Sequence, residues 1–262
     1  MPVEVRHRFR GKRGSPALVF TGSLGTDLTM WEPQAEHLKP RFCTLRYDIR
    51  GHGRSPVPPG PYSMDDLGSD LVALLDRLGI ERASLCGLSI GGMISMWVAA
   101  HAPERVDRLV LCSTSARLGP RESWLERAAT VRAQGVGAIA DAVLGRWFTA
   151  GFAAANPEVI ERMRGILGAT PREGYAGCCE AIADMDLTPD LPSITAPTLM
   201  ISGADDPATP PEHGRLIAEL IPGARFEVIS PAAHLASIER PDLTTAMILW
   251  FLTEDCGGIS RE

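Results

Sequence analysis

The chain has 262 residues, 45% of them hydrophobic and 22% charged, which fits one α/β domain with an insertion, long enough to bury a sizeable core. A net charge of −6 and the lack of any long basic run exclude a nucleic-acid partner and leave any anion to be held by local arginines. The N-terminal Met-Pro-Val-Glu-Val-Arg-His has no apolar signal core, and no apolar stretch reaches membrane-spanning length, so a membrane partner is excluded as well. Of the six cysteines (Cys43, Cys86, Cys112, Cys178, Cys179 and Cys256) no two stand in C-x-x-C spacing, and all are read as the reduced thiols of a cytoplasmic protein.

Along the chain, Val3, Val5, His7 and Phe9 alternate with polar residues, the pattern of an opening edge strand. Ala17 to Phe20 is a short buried strand that runs into Thr21-Gly22-Ser23-Leu24-Gly25. Cys43 to Tyr47 is the next strand, and the glycine-rich Asp48 to Ser55 loop follows it. Ser63 caps a helix with Asp65 and Asp66 in its first turn; Leu67, Leu71, Leu74, Leu75 and Leu78 recur at helical spacing until Gly79. Strands are predicted at Ala83–Cys86, Val106–Cys112, Pro197–Ser202 and Arg225–Ile229, and helices at Met93–His101, Glu212–Ile221 and Asp242–Phe251. Strand runs vanish over 117–190, where Trp124, Leu125, Ala128, Val131 and Arg132 repeat with helical periodicity. A helical cap over 117–190 on a core of 1–116 and 191–262 is the domain reading, with a frayed polar tail from Asp255. Alternation of strands and helices predicts a mostly parallel sheet with helices on both faces, and a ligand at the carboxyl ends of the strands.

One of those strand ends carries chemistry. Gly87-Leu88-Ser89-Ile90-Gly91 reads G-x-S-x-G between an apolar strand run and a helix run, the context of a nucleophile elbow. Such a turn holds its serine in strained backbone geometry and needs glycine two residues to either side. It also leaves the Ile90 N–H free at a helix N-terminus, where negative charge is stabilised.

A serine hydroxyl is a weak nucleophile and needs a base that is itself oriented by a carboxylate. The order Ser, acid, His is met by Ser89, Asp206 and His234, each following a predicted strand. Asp205 competes with Asp206, and Asp48 is the next acid, read as a loop-stabilising acceptor. His52 is read as structural, and His7, His37, His101 and His213 as surface residues. The Ser23 N–H is the first choice for the second oxyanion donor and the Leu24 N–H the second, with Thr21 standing where such loops more often carry histidine.

With these residues in view, the chain resembles the α/β-hydrolase superfamily over nearly its full length. Within it, the chain is similar to the bacterial 3-oxoadipate enol-lactonases of aromatic catabolism. The strings that carry the resemblance are Ser23-Leu24-Gly25-Thr26-Asp27-Leu28 with Met30-Trp31, Cys86 to Met93, Gly177 to Ile182 with Asp184-Met185-Asp186, and Asp206 to Pro211. It implies opening of an enol-lactone to 3-oxoadipate in the β-ketoadipate pathway, with neither metal nor organic cofactor. It also implies, since some relatives are fused to a decarboxylase domain, that this chain lacks that domain or is a truncated piece. A general carboxylesterase, a carbon–carbon bond hydrolase and a non-enzymatic ligand-binding protein on the same fold stay open, as does the oligomeric state, a homo-oligomer included.

A small anionic lactone as substrate calls for a cationic group in its pocket. The cap supplies Arg117, Arg121, Arg127, Arg132, Arg146, Arg162 and Arg164. Arg132 is the first expectation, because it shares a helical face with Trp124, Leu125 and Ala128, and Arg50 is the fallback outside the cap. Leu24, Trp124, Trp147 and Met185 are expected to wall the substrate pocket.

Overall fold

The computed structural model describes residues 1–12 and 14–254; Cys256 and the polar tail lie outside the described residues. Seven strands form one sheet in the order β1-β3-β2-β4-β5-β6-β7. They are β1 (His7–Arg10), β2 (Ala17–Thr21), β3 (Cys43–Tyr47), β4 (Ala83–Leu88), β5 (Val106–Cys112), β6 (Thr198–Gly203) and β7 (Arg225–Ile229). β1 runs antiparallel at the edge and every other pairing is parallel. The central strands are apolar runs because helices cover both faces, so β3, β4 and β6 are buried at every residue.

The crossovers explain that cover. The helix α1 (Glu32–Leu38) joins β2 to β3, and α2 (Met64–Arg77) joins β3 to β4, moving across the sheet in the opposite direction. Right-handed crossovers in opposite directions place their helices on opposite faces. α3 (Ile90–His101) packs with α2, and the last helix of the described chain, at Pro241–Thr253, packs with α1. α2 starts as its sequence requires: the Ser63 hydroxyl accepts from the Asp66 N–H at 3.1 Å, and the Asp66 carboxylate accepts from the Ser63 N–H at 3.2 Å.

One local expectation is corrected, and one helix, α1, is not anticipated by the sequence pattern. The alternation from Val3 does not form ladder before His7; instead the Val3 N–H donates to Asp70 at 2.7 Å and Val5 is buried in the core. α1 carries Pro33 in its first turn and follows the buried Trp31, a short helix with too few turns to reveal its period.

Between β5 and β6 the chain is helical: α4 (Arg121–Gln134), α5 (Ala140–Trp147), α6 (Ala150–Ala155), α7 (Pro157–Gly168) and α8 (Arg172–Ala183). α4 packs most extensively against α8. After β6 come α9 (Pro211–Leu220) and, past β7, the short α10 (Ala236–Glu239) and α11 (Pro241–Thr253). The parallel strands leave the loops after β2, β4, β5, β6 and β7 on one rim.

Candidate active site

Ser89 stands alone between β4 and α3 with φ 58° and ψ −121°, a region that a non-glycine residue enters only when its surroundings hold it there. Those surroundings are hydrogen bonds to the Ser89 backbone. The Ser89 N–H donates to the Cys112 carbonyl at 3.0 Å, while its own carbonyl accepts from the Thr114 hydroxyl at 2.7 Å and from the Gly92 N–H at 2.8 Å. The flanking glycines are steric requirements. A Cβ on Gly87 would lie 2.1 Å from the Gly91 carbonyl oxygen, and one on Gly91 would lie 2.3 Å from that of Thr21.

Asp206 leaves the end of β6 and His234 lies between β7 and α10. His234 Nδ1 is 2.8 Å from Asp206 Oδ2. With a carboxylate facing Nδ1, that nitrogen carries the proton and donates, leaving Nε2 as the basic position. Asp206 has its acceptor capacity filled: Oδ1 takes the Ala208 and Thr209 N–H groups at 2.8 and 3.1 Å, and Oδ2 takes the Thr209 hydroxyl at 2.8 Å besides the imidazole. Burial pushes the Asp206 carboxyl up, but the neighbouring His234 and the Thr209 donors outweigh it and hold the group below the ordinary aspartate range. Asp205 points elsewhere: it is exposed and accepts from the Ala232 N–H at 3.3 Å. Asp48 accepts from the Leu28 and Arg54 N–H groups at 2.7 and 2.9 Å, a loop brace.

Ser89 and His234 line one cavity of about 200 Å³, together with Ser23, Leu24, Trp124, Trp147, Tyr175 and Thr209. The Ser23 N–H reaches only the Met30 thioether at 3.2 Å, a weak acceptor. Among the described residues nothing accepts from the N–H of Leu24 or of Ile90. The next amide, Gly25 N–H, donates to His52 Nε2 at 2.9 Å. His52 is completely buried; accepting at Nε2 puts its proton on Nδ1, which faces the Arg50 carbonyl at 3.3 Å. Burial pushes its pKa down to about 4, which keeps the ring neutral and able to accept. The sequence gives His52 a structural reading but does not reveal this bond, because the contact joins two loops 27 residues apart.

The pocket expectations divide. Leu24, Trp124 and Trp147 line the cavity, but Arg132 and Met185 do not. Arg132 is bound in two ion pairs with α8, to Glu173 at 2.9 Å and Glu180 at 2.5 Å. The helical face it shares with Ala128 and Val131 packs on α8 rather than over the cavity. Met185, two residues beyond α8, is buried beside Asp184 and Asp186 at a separate surface recess. Arg50 is also consumed, by Asp70 at 2.6 Å and Asp66 at 3.0 Å.

The cationic groups at the cavity are Arg127 and Arg146. Arg127 lies five residues before Arg132, about 140° away around the helix at 3.6 residues per turn. Its guanidinium sits 4.5 Å from the Trp124 ring centroid. Burial, and then the charge of Arg127, lower the pKa of Arg146. Among the described residues neither arginine has a carboxylate within ion-pair distance. Among the described residues no group of three or more His, Cys, Asp or Glu could hold a metal ion, and no helix is long and apolar enough to cross a membrane.

Comparison with known proteins places this arrangement among relatives. The model of the α/β hydrolase fold matches residues 16–241. A protein of Acinetobacter baylyi named 3-oxoadipate enol-lactonase 2 is 42% identical over 239 residues, covering 91% of this chain and 89% of its own length. The crystal structure of the enol-lactonase from Burkholderia xenovorans LB400 superposes with a TM-score of 0.94 at 45% identity, covering 96% of this chain and 97% of that one. A thermophilic esterase from Thermogutta terrifontis, solved with malate bound, has a TM-score of 0.90 at 34% identity, over 95% and 93% of the two chains.

Proposed function

The chain belongs to the α/β hydrolase fold family, and from that premise we propose that it is a serine hydrolase that opens a small anionic enol-lactone, 3-oxoadipate enol-lactone by the names of its relatives. The observation that carries the substrate class is the pair Arg127 and Arg146, two guanidinium groups without carboxylate partners among the described residues, at the cavity that holds Ser89 and His234. In a chain of net charge −6, two unneutralised cations at one small cavity call for an anion from outside. The enol-lactonase relatives support the same reading.

The chemistry follows from the groups present. Ser89 Oγ attacks the ring carbonyl while His234 Nε2 takes its proton, and Asp206 holds the imidazole tautomer and stabilises the imidazolium. The tetrahedral oxyanion takes the Ile90 N–H and a second N–H from the loop after β2, that of Ser23, which meets only the weak Met30 thioether, or that of Leu24, which has no acceptor among the described residues. Collapse breaks the ring carbon–oxygen bond, leaves the acyl group on Ser89 and expels an enol, which His234 protonates and which tautomerises to the ketone. Water then attacks the acyl-enzyme with the same base, and Ser89 regains its proton. An enol is a better leaving group than an ordinary alcohol, so the barrier to expulsion is low. Leu24, Trp124 and Trp147 wall the ring, and an arginine holds the carboxylate.

The esterase relative favours a second reading, hydrolysis of simple esters by the same groups. Loss of enol-lactone ultraviolet absorbance, measured beside hydrolysis of an uncharged ester, tests both. A kcat/KM for the anionic lactone at least about 100-fold above that for the ester, the scale of one charge-assisted contact, supports the lactonase. Equal values, or a preference for the ester, refute it.

A further inference from the structure

Glu239 ends α10 and is buried, 7% exposed, yet the reaction above has no use for it. A buried carboxylate must be satisfied by donors. Among the described residues no cationic group lies within ion-pair distance of this one, so hydrogen bonds alone hold it. Those donors come from two parts of the chain. Oε2 accepts from the Ala233 N–H at 3.0 Å, the residue before His234. The same oxygen accepts from the Thr149 N–H at 3.3 Å, and Oε1 accepts from the Thr149 hydroxyl. Thr149 is also the N-cap of α6, its hydroxyl accepting from the Phe152 N–H at 3.2 Å.

The other neighbour of His234 is tied to the same place: the Leu235 N–H donates to the Trp147 carbonyl at 2.9 Å, and Trp147 lines the cavity. Residues 233 and 235 are thus both fastened to 147–149, one through Glu239 and one directly. We propose that Glu239 is a positioning residue that locks the His234 backbone to the α5–α6 segment, so that imidazole and cavity wall keep one mutual geometry. This rests on Ser89 and His234 acting as nucleophile and base, and it does not depend on which ester they cleave.

The test measures the rate of Ser89 phosphonylation by a fluorophosphonate across pH, which reads the Ser89–His234 pair without the lactone, together with kcat, KM and Tm. Glu239→Leu removes both acceptor oxygens at similar volume, whereas Glu239→Gln can turn its amide oxygen to the Ala233 and Thr149 N–H groups and its NH2 to the Thr149 hydroxyl. Thr149→Ala removes the hydroxyl from the cap side and leaves Ala233 bonded, and Thr149→Ser keeps it. Misplacing a base by a fraction of an ångström costs about 10- to 100-fold, so Glu239→Leu lowers both the phosphonylation rate and kcat by that factor, with KM within about twofold, and Glu239→Gln recovers most of the loss. Thr149→Ala falls in the same direction, Thr149→Ser recovers to within about twofold of wild type, and adding Thr149→Ala to Glu239→Leu costs little more. Wild-type phosphonylation in both Glu239→Leu and Thr149→Ala overturns the proposal, as does a loss that tracks only the folded fraction. Should Glu239→Leu fail to fold, the Thr149→Ala and Thr149→Ser pair decides alone. A wild-type enzyme that the probe does not label overturns the nucleophile reading, and this proposal with it, whereas labelling without lactone turnover overturns only the substrate.

Discussion

Removing Arg127 or Arg146 should raise KM for the anionic lactone, and removing Arg132 should not. Arg127 and Arg146 border the cavity without an acidic partner among the described residues, whereas Arg132 already gives four hydrogen bonds to Glu173 and Glu180. A charge-assisted hydrogen bond is worth about 1.5–3 kcal/mol, and about 1.4 kcal/mol is tenfold, so the arginine that grips the carboxylate carries roughly 10- to 150-fold. Both side chains are half-buried, so solvent screening puts the effect toward the lower figure. A carboxylate remote from the reacting carbonyl is held equally in ground and transition states, so the loss appears in KM with kcat nearly constant. Steady-state kinetics on Arg127→Ala, Arg146→Ala, the double variant and Arg132→Ala, monitored by lactone absorbance, give the numbers, and an uncharged ester serves as control. Its KM should not move, because it offers no anion. Arg132→Ala should instead lower Tm, since it leaves Glu173 and Glu180, two turns apart on one face of α8, without their shared cation. If the double variant kept the wild-type KM for the lactone, or if Arg132→Ala raised it most, the anion would sit elsewhere and the assignment would fail.

Other outcomes follow from the same geometry. Ser89→Ala should abolish turnover by roughly 10³-fold or more at unchanged fold, read as activity beside the circular-dichroism spectrum; a near-wild-type rate would remove Ser89 from the chemistry. Asp206→Asn should cost on the order of 10⁴-fold in kcat, as the amide offers a donor where His234 Nδ1–H needs an acceptor, whereas Asp205→Asn should leave kcat nearly unchanged; the reverse ranking would reject Asp206. His52 should make stability fall on acidification. Its folded pKa of about 4 lies below the ordinary 6.5, so the unfolded chain binds the extra proton, and the contribution is complete above 6.5 and lost progressively down to 4, about 3 kcal/mol in all. Thermal melts of wild type and His52→Gln from pH 7.5 to 4 should diverge in slope over that window; parallel curves would contradict it.

What the sequence made legible, and what it did not, follows from how each feature is encoded. The elbow is largely local: Gly87 is forced by a 2.1 Å approach to the Gly91 carbonyl oxygen within the turn, Gly91 by a 2.3 Å approach to that of Thr21 at the end of β2, and the five-residue string suffices to find it. β3, β5 and β7 match their predicted ends because each run of strand-forming residues stops at a loop with turn residues, even at the edge, where β7 exposes Arg225 and Glu227. The relative placement of Asp206 and His234 comes from chain order on a parallel sheet, since every loop that follows a strand reaches the same rim.

The cap is encoded differently. α4 must satisfy α8 on one side and the cavity on another, and both surfaces accept arginine. Spacing shows that Arg132 shares a face with Ala128 and Val131, but that stripe is the packing seam, and its arginine is neutralised by Glu173 and Glu180 on the facing helix. Arg127, about 140° away, borders the cavity, and among the described residues no carboxylate lies within ion-pair distance of it. Which of two arginines on one helix is left unpaired at the cavity is thus decided by where the acids of another helix fall, a long-range fact that periodicity within α4 cannot contain. The same holds for Glu239 and His52, whose partners lie 90 and 27 residues away. Residues that act through the covalent neighbourhood are readable in the chain, and residues that act by tying distant loops together become readable only once the sheet has gathered those loops on one rim.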